Sequence, residues 1–189
     1  MINDKELNVK SVYKDKKSFD ETNIIKDLIF WKERLNISGK RINAIFTRPI
    51  NNPNSRIQNL TGDQFFISSL FHGYGGQSYK CINSNNQLFI FWIDMISQSI
   101  WVNTFKFTKY EKDKAHFPYL ISKDQPKKLT KSIIGNFDAS FVLMKSKTLF
   151  GIIEINNKDY LFKVDISKEE QDLNFLKKFD NFAGSLSSN

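Results

Sequence analysis

The stretch FHGYGGQSYK, Phe71 to Lys80, holds the residues with most potential for chemistry. It carries His72, one of two histidines, and three of the eight glycines, Gly73, Gly75 and Gly76. A histidine beside glycines suits three jobs: a base in a catalytic corner, part of a phosphate cradle, or a tight turn between strands. The first needs a nucleophile within reach and an acid to orient the imidazole. No Gly-x-Ser-x-Gly elbow occurs in the 189 residues, and the nearest strings, GGQSY and AGSLSS, lack its flanking glycines. Cys81 lies inside the strand-like YKCIN and reads as a buried, inert thiol. His116, in KAHFPYL, reads as a packed or loop histidine. A phosphate cradle has no support either. GYGG matches neither nucleotide-binding glycine pattern, and no helix follows it. Two histidines, one cysteine and no tight acid cluster argue against a metal. The expectation is therefore no catalytic residues, no metal and no cofactor. His72, Tyr74, Gly75 and Gly76 are the candidate site residues, first of all as a structural turn.

The elements that position this stretch are strands. DLIFWKE, RINAIFT, QSYKCI, QLFIFWID, SIWVNTFKF, ASFVLM, TLFGIIEI and DYLFKVDI are short and rich in β-branched and aromatic residues. Turn-forming clusters such as NISGK, NNPNS, NSNN and NNK separate them. SIWVNTFKF alternates imperfectly, which predicts a bulge near Thr104. One helix is predicted, over Ser167 to Phe179, with Ser167 as cap, Glu170 at the reciprocal position, and Leu173, Leu176 and Phe179 near one face. A loop competes closely with it.

A repeat organises these strands. LIFWKE from Leu28, FIFWID from Phe89 and LFGIIE from Leu149 start 61 and 60 residues apart. Each is an apolar run followed by an acid (Glu33, Asp94, Glu154), a turn and a second aromatic-rich strand. Such a period without intervening helices predicts an all-β fold of antiparallel propeller blades, about three of them, forming an incomplete propeller. SRIQNLT and QPKKLT both end in Leu-Thr after the second strand of a hairpin, as a seam between blades would. The expected organisation is an N-terminal arm, 1–24, and a partial propeller, 25–189, with units at about 25–62, 63–130 and 131–189.

Bulk composition narrows the partners. With 40% hydrophobic residues and 18 Phe the chain is folded. Its longest clean apolar run, LFIFWI, is far short of the ~20 residues that span a bilayer. The charged start, MINDKELNVK, is unlike a secretory signal, so a cytoplasmic protein without membrane contact is expected. The net charge of +8 raises nucleic acid as a partner. The lysines are scattered, and no recognition motif accompanies them, so nucleic acid is disfavoured.

The run DLIFWKERLNISGKRINAIFTRP resembles the first blade of the N-terminal propeller in serine peptidases of the prolyl-oligopeptidase family, most of all the acylaminoacyl-peptidase and dipeptidyl-aminopeptidase-like group. Trp31, Glu33, Gly39 and the segment 41–47 stand for that group's Trp-x-Glu strand, glycine turn and second strand. His72 to Gln77 is similar to its His-Glu-Tyr-Gly-Gly-Gly motif, with Gly73 in place of the glutamate and Gln77 in place of the last glycine. Asp94, Ile100-Trp101, Leu129-Thr130, Phe137-Asp138, Glu154 and YLFKVDI continue the similarity in order. The resemblance runs from about Leu28 to Asn189. It implies a non-catalytic propeller segment, scaffold and substrate gate of a peptide hydrolase, truncated before the catalytic domain, with His72 and Tyr74 holding the turn or facing the tunnel. The implied partner is the remainder of such a peptidase, or another copy through open sheet edges. The alternative is a stand-alone β-rich module that binds protein.

Overall fold

A computed structural model describes residues 19–37, 39–52, 54–73, 75–108 and 119–179. The fold is all-β: three antiparallel sheets, none closed into a barrel, arranged as blades of an incomplete propeller. The first sheet takes its strands in chain order: β1 (Phe19–Ile25), β2 (Leu28–Ile37), β3 (Lys40–Pro49) and β4 (Gln58–Asn59). The second is built from β5 (Tyr79–Ser84), β6 (Gln87–Asp94), β7 (Ser99–Phe107) and β8 (Leu120–Ser122), with β9 (Lys127–Lys128) also on β7. The third runs β10 (Asn136–Met144), β11 (Thr148–Ile155), β12 (Lys158–Asp165) and β13 (Asn174–Phe179).

Local chemistry explains the meanders. Asn85-Asn86 and Asn156-Asn157 both adopt positive φ, near 50–57°, between strands that pair on either side of them. Two such residues make the tight hairpin turn whose twist matches that of the strands, and asparagine tolerates it. β6 explains the apolar run LFIFWI. Leu88, Ile90 and Trp92 pack into a core shared with the first sheet, among Phe30, Ile45, Ile67 and Tyr79. Phe89, Phe91 and Ile93 pack the other way, among Phe137, Phe141, Leu149 and Phe162 of the third sheet. A strand covered on both faces has no polar side, so alternation disappears. Each fully buried side chain of this size contributes about 1.5–3 kcal/mol.

The repeat has a structural counterpart. β2, β6 and β11 are each the second strand of their sheet, and Glu33, Asp94 and Glu154 occupy matching registers opposite Ala44, Ser99 and Asp159. The Leu-Thr seam matches as well. Leu60 donates its amide to the Ile45 carbonyl and Leu129 to the Ile100 carbonyl, both at 2.8 Å. Thr61 Oγ1 accepts from the Ile45 amide at 3.1 Å, and Thr130 Oγ1 from the Ile100 amide at 3.0 Å. Ile45 and Ile100 are the residues next to Ala44 and Ser99, so the seam closes the first and second sheets at one register.

Two expectations are corrected. There is no helix over Ser167 to Phe179: Asn174–Phe179 is β13, paired with β12 from Asp159 to Lys163. Ser167 does not cap a helix. Its amide and hydroxyl both donate to Asp165 Oδ1, closing a turn and holding that carboxyl below the usual carboxylate range. Glu170 and Gln171 donate their amides to Lys128 and Leu129 of the preceding blade. Backbone pairing to neighbours thus outweighs the weak helical pattern. Nor is β7 bulged near Thr104: it pairs with β6 residue for residue from Ser99 to Lys106. The irregularity is on its outer edge, where Trp101 and Val102 pair with β9 but Phe105 to Phe107 pair with β8.

Candidate functional site

The segment between β4 and β5 leaves the first sheet, touches the second at Asp94 and reaches the third before it enters β5. Ile67 bridges Asp94, and the Phe66 amide donates to Asp94 Oδ1 at 3.0 Å. Ser69 then reaches the third sheet, donating its hydroxyl to the Phe137 carbonyl at 2.6 Å. The same oxygen accepts the amides of Phe71 and Gly76, both at 3.2 Å, so one buried hydroxyl gathers both ends of the loop.

Within the loop, Phe71–Gly73 forms a single 3-10 turn, and His72 has left-handed backbone, φ 51°. That conformation is uncommon for a residue with a side chain and is retained only where neighbours impose it. Here Glu154 Oε2 accepts the His72 amide at 2.9 Å. Gly73 and Gly75 have φ of +71° and +82°, the positive-φ turns expected of them. Gly76 serves a different need. A Cβ there would lie 2.6 Å from Asp138 Oδ1 and 3.1 Å from the Phe71 Cβ. Its bare backbone lets Asp138 reach the next amide, Gln77, at 2.9 Å. Tyr74 lies outside the described residues, as does His116.

The loop's far end is tied to the first sheet. Glu21 accepts the Ser78 amide at 2.5 Å and the Ser78 hydroxyl at 2.8 Å. Lys32 Nζ bonds Ser78 Oγ at 3.0 Å and pairs with Glu21. The buried Tyr79 hydroxyl donates to the Glu21 carbonyl, and burial pushes its pKa up.

The His72 side chain meets two carboxylates of the third sheet. Its Nε2 is 3.2 Å from Asp159 Oδ2 and its Nδ1 is 3.8 Å from Glu154 Oε1. Asp159 is 2% exposed, and beyond this contact with His72 neither of its oxygens has a hydrogen-bond partner among the described residues. Burial raises its pKa above the usual carboxylate range, against the opposing pull of His72. Asn136 Nδ2 donates to Glu154 Oε2 at 3.3 Å. These residues, with Gly73 and Asn157, line an open cleft of about 550 Å³.

What this arrangement can do follows from its groups. Among the described residues the cleft is lined by a base and two acids, with no hydroxyl or thiol. Cys81 is fully buried in the core between the first two sheets, and burial pushes its thiol pKa up, away from the reactive thiolate. Among the described residues no group of three or more histidines, cysteines and acids is placed to hold a metal. The cleft is an acid–imidazole–acid arrangement suited to holding charge.

Neither a family model nor a curated protein sequence matches this chain. A solved structure does. Part of a known peptidase shares this fold. It is a puromycin-hydrolyzing peptidase of Mycobacterium tuberculosis, which superposes with a TM-score of 0.56 at 11% identity. The match covers 79% of this chain and 22% of that one. Likeness at this identity is likeness of fold: the chain shares the architecture of a peptidase-related structure, over about a fifth of that protein's length.

Of the sequence candidates, His72, Gly75 and Gly76 come together in one loop, where the turn geometry applies. Asp159 and Asn136 are not singled out by the sequence, and Asp138 and Glu154 enter there through the family resemblance and, for Glu154, the repeat, not as site residues. A signal for the acid pair was present: Asn156-Asn157 is a two-residue turn, and such a turn sets 154 opposite 159. Among the described residues no helix is long and apolar enough to cross a membrane.

Proposed function

We propose that this chain is a non-catalytic propeller segment of a serine peptidase of the prolyl-oligopeptidase family, of the acylaminoacyl-peptidase or dipeptidyl-aminopeptidase type. In that role its blades are scaffold, and the loop carrying His72, Tyr74, Gly75 and Gly76 forms part of the wall that substrates pass. The carrying observation is the run of three consecutive antiparallel meanders, the second with an added fifth strand, whose fold is shared with part of a peptidase. The pairing of His72 with the carboxylates of Glu154 and Asp159 supports a structural part for this loop. Its partner is then the remainder of such an enzyme, in the cytoplasm. The test is hydrolysis of puromycin and of aminoacyl arylamides by the purified chain, with a fluorophosphonate label for reactive serine. No turnover and no labelling are expected. Turnover that disappears in His72→Ala would overturn the reading.

One observation favours the second reading, a binding module that pairs its sheet edges. β13 is exposed along Asn174 to Lys178, with Phe175 and Leu176 46% and 45% exposed, and no described strand lies beyond it. Exposed edges with apolar side chains are templates for pairing. Sedimentation over a hundredfold concentration range separates the two readings: a monomer throughout removes the support for self-pairing.

A further inference from the structure

The outer edge of β7 changes partner partway along. Trp101 and Val102 pair with β9, whereas Phe105 to Phe107 pair with β8. Between them, Asn103 and Thr104 have no strand partner on that side among the described residues. The Lys123 amide still donates to the Thr104 carbonyl at 2.9 Å. The chain then runs on through Asp124, Gln125 and Pro126, and Pro126 has no amide to continue the pairing. A cavity of about 420 Å³ opens at this interruption, between Asp124, Pro126 and Lys127 on one side and Ile166 and Glu169, which follow β12, on the other. Pockets for small molecules run from about 300 to 1,000 Å³.

We infer that this cavity, at the joint of the second and third blades, binds a small neutral molecule bearing several hydroxyls on one ring. The observation that carries it is Asn103, which lines the cavity and is 4% exposed. Its Oδ1 is held: it accepts the Thr104 amide at 2.8 Å and lies 2.9 Å from the Ser122 hydroxyl. Its amide nitrogen donates no hydrogen bond among the described residues. Buried polar groups are nearly always paired, so this donor is left for an occupant of the cavity. Lys127 Nζ donates to the Ile166 carbonyl at 2.5 Å, and an ammonium has further N–H donors to offer. Asp124 and Glu169 stand exposed at the rim as acceptors, and Val102, Pro126 and Ile166 add apolar surface. An anion here would meet two carboxylates, and a cation would meet the Lys127 ammonium. A hydroxyl both donates and accepts, so one ring of hydroxyls serves the amide, the ammonium and the carboxylates together, with charge-assisted bonds to the last two. The C–H faces of such a ring suit the apolar surface. The site does not depend on the peptidase reading.

The test is an amide NMR titration of the whole chain with the methyl glycosides of glucose, galactose and mannose, and with myo-inositol. The first three stand for a sugar as the source of the ring and the last for a cyclitol, and binding of either kind supports the site. Ethylene glycol at equal hydroxyl concentration is the control, with sodium acetate and ethylammonium chloride for the charged alternatives. Saturable shifts are expected at Asn103, Thr104, Lys127 and residues 166–169 with at least one ring polyol and with none of the controls. Affinity should fall at least tenfold in Asn103→Asp, which keeps the held oxygen and removes the amide donor. It should fall as well in Glu169→Gln, an exposed position that serves if the first variant misfolds. No saturable shift with any ring polyol, equal shifts with ethylene glycol, tighter binding of acetate or ethylammonium, or unchanged affinity in both variants would overturn the inference.

Discussion

The amide of Gln77 donates to Asp138 of the third blade, and the amide of Ser78, one residue on, donates to Glu21 of the first. Adjacent peptide groups at the start of the second blade thus hold both neighbours. β5 lies between β1 and β10, and the Ala139 amide returns a bond to the Gln77 carbonyl at 2.8 Å. The glycine-rich loop is where the three sheets are joined.

Gly76→Ala tests the close approach. The added methyl meets Asp138 Oδ1 and the Phe71 Cβ, while Asp138 is held by Gln77. Overpacking of this kind costs about 1–3 kcal/mol. Denaturant unfolding should show a lower midpoint at unchanged slope. Gly73→Ala has open space around the new methyl and should lose less, since only the positive φ opposes it.

The seam threonines should behave alike if the blades are equivalent. Thr61→Val and Thr130→Val each remove the acceptor of a buried amide, Ile45 in one blade and Ile100 in the next. An unsatisfied buried donor costs about 1–3 kcal/mol. Two losses of similar size by thermal unfolding are expected. A large loss at one site and none at the other would argue against the equivalence.

Asp159 has a pH signature. Its pKa is raised in the folded chain, so the folded state holds that proton more tightly than the unfolded one. The stability this group contributes is present below the ordinary carboxylate range and is lost as pH rises through its folded value. Above that value the charged form is a liability, and Asp159→Asn should raise the melting temperature by a few degrees. The advantage should shrink as pH falls toward 4. A variant less stable than the parent at every pH would mean that the His72 contact outweighs burial.

Much of the architecture was legible in residue pattern. The spacings of 61 and 60 residues between Leu28, Phe89 and Leu149 mark the second strand of each blade, an interior strand whose apolar run is buried in the core. The Leu-Thr pairs marked the seam because the threonine hydroxyl is a fixed acceptor there. β1 escaped notice: FDETNII mixes acids with isoleucines, and its pairing shifts register between Asp20 and Asn23. β13 was read as a helix because apolar residues three apart satisfy a helical face, while its strand character comes from pairing with β12, which is not local. His72 and its glycines stood out by type. The cleft did not, since it forms only when a loop of the second blade meets a hairpin of the third, 82 residues away at Glu154.

The reading of FHGYGGQSYK as a joint between blades, in place of a catalytic corner, is tested most directly by amide hydrogen exchange at Gln77 and Ser78. If Asp138 and Glu21 hold these amides, both exchange as slowly as the seam-capped amides of Ile45 and Ile100, and Asp138→Ala speeds Gln77 selectively. Exchange at the rate of an open turn, unchanged by Asp138→Ala, would contradict it.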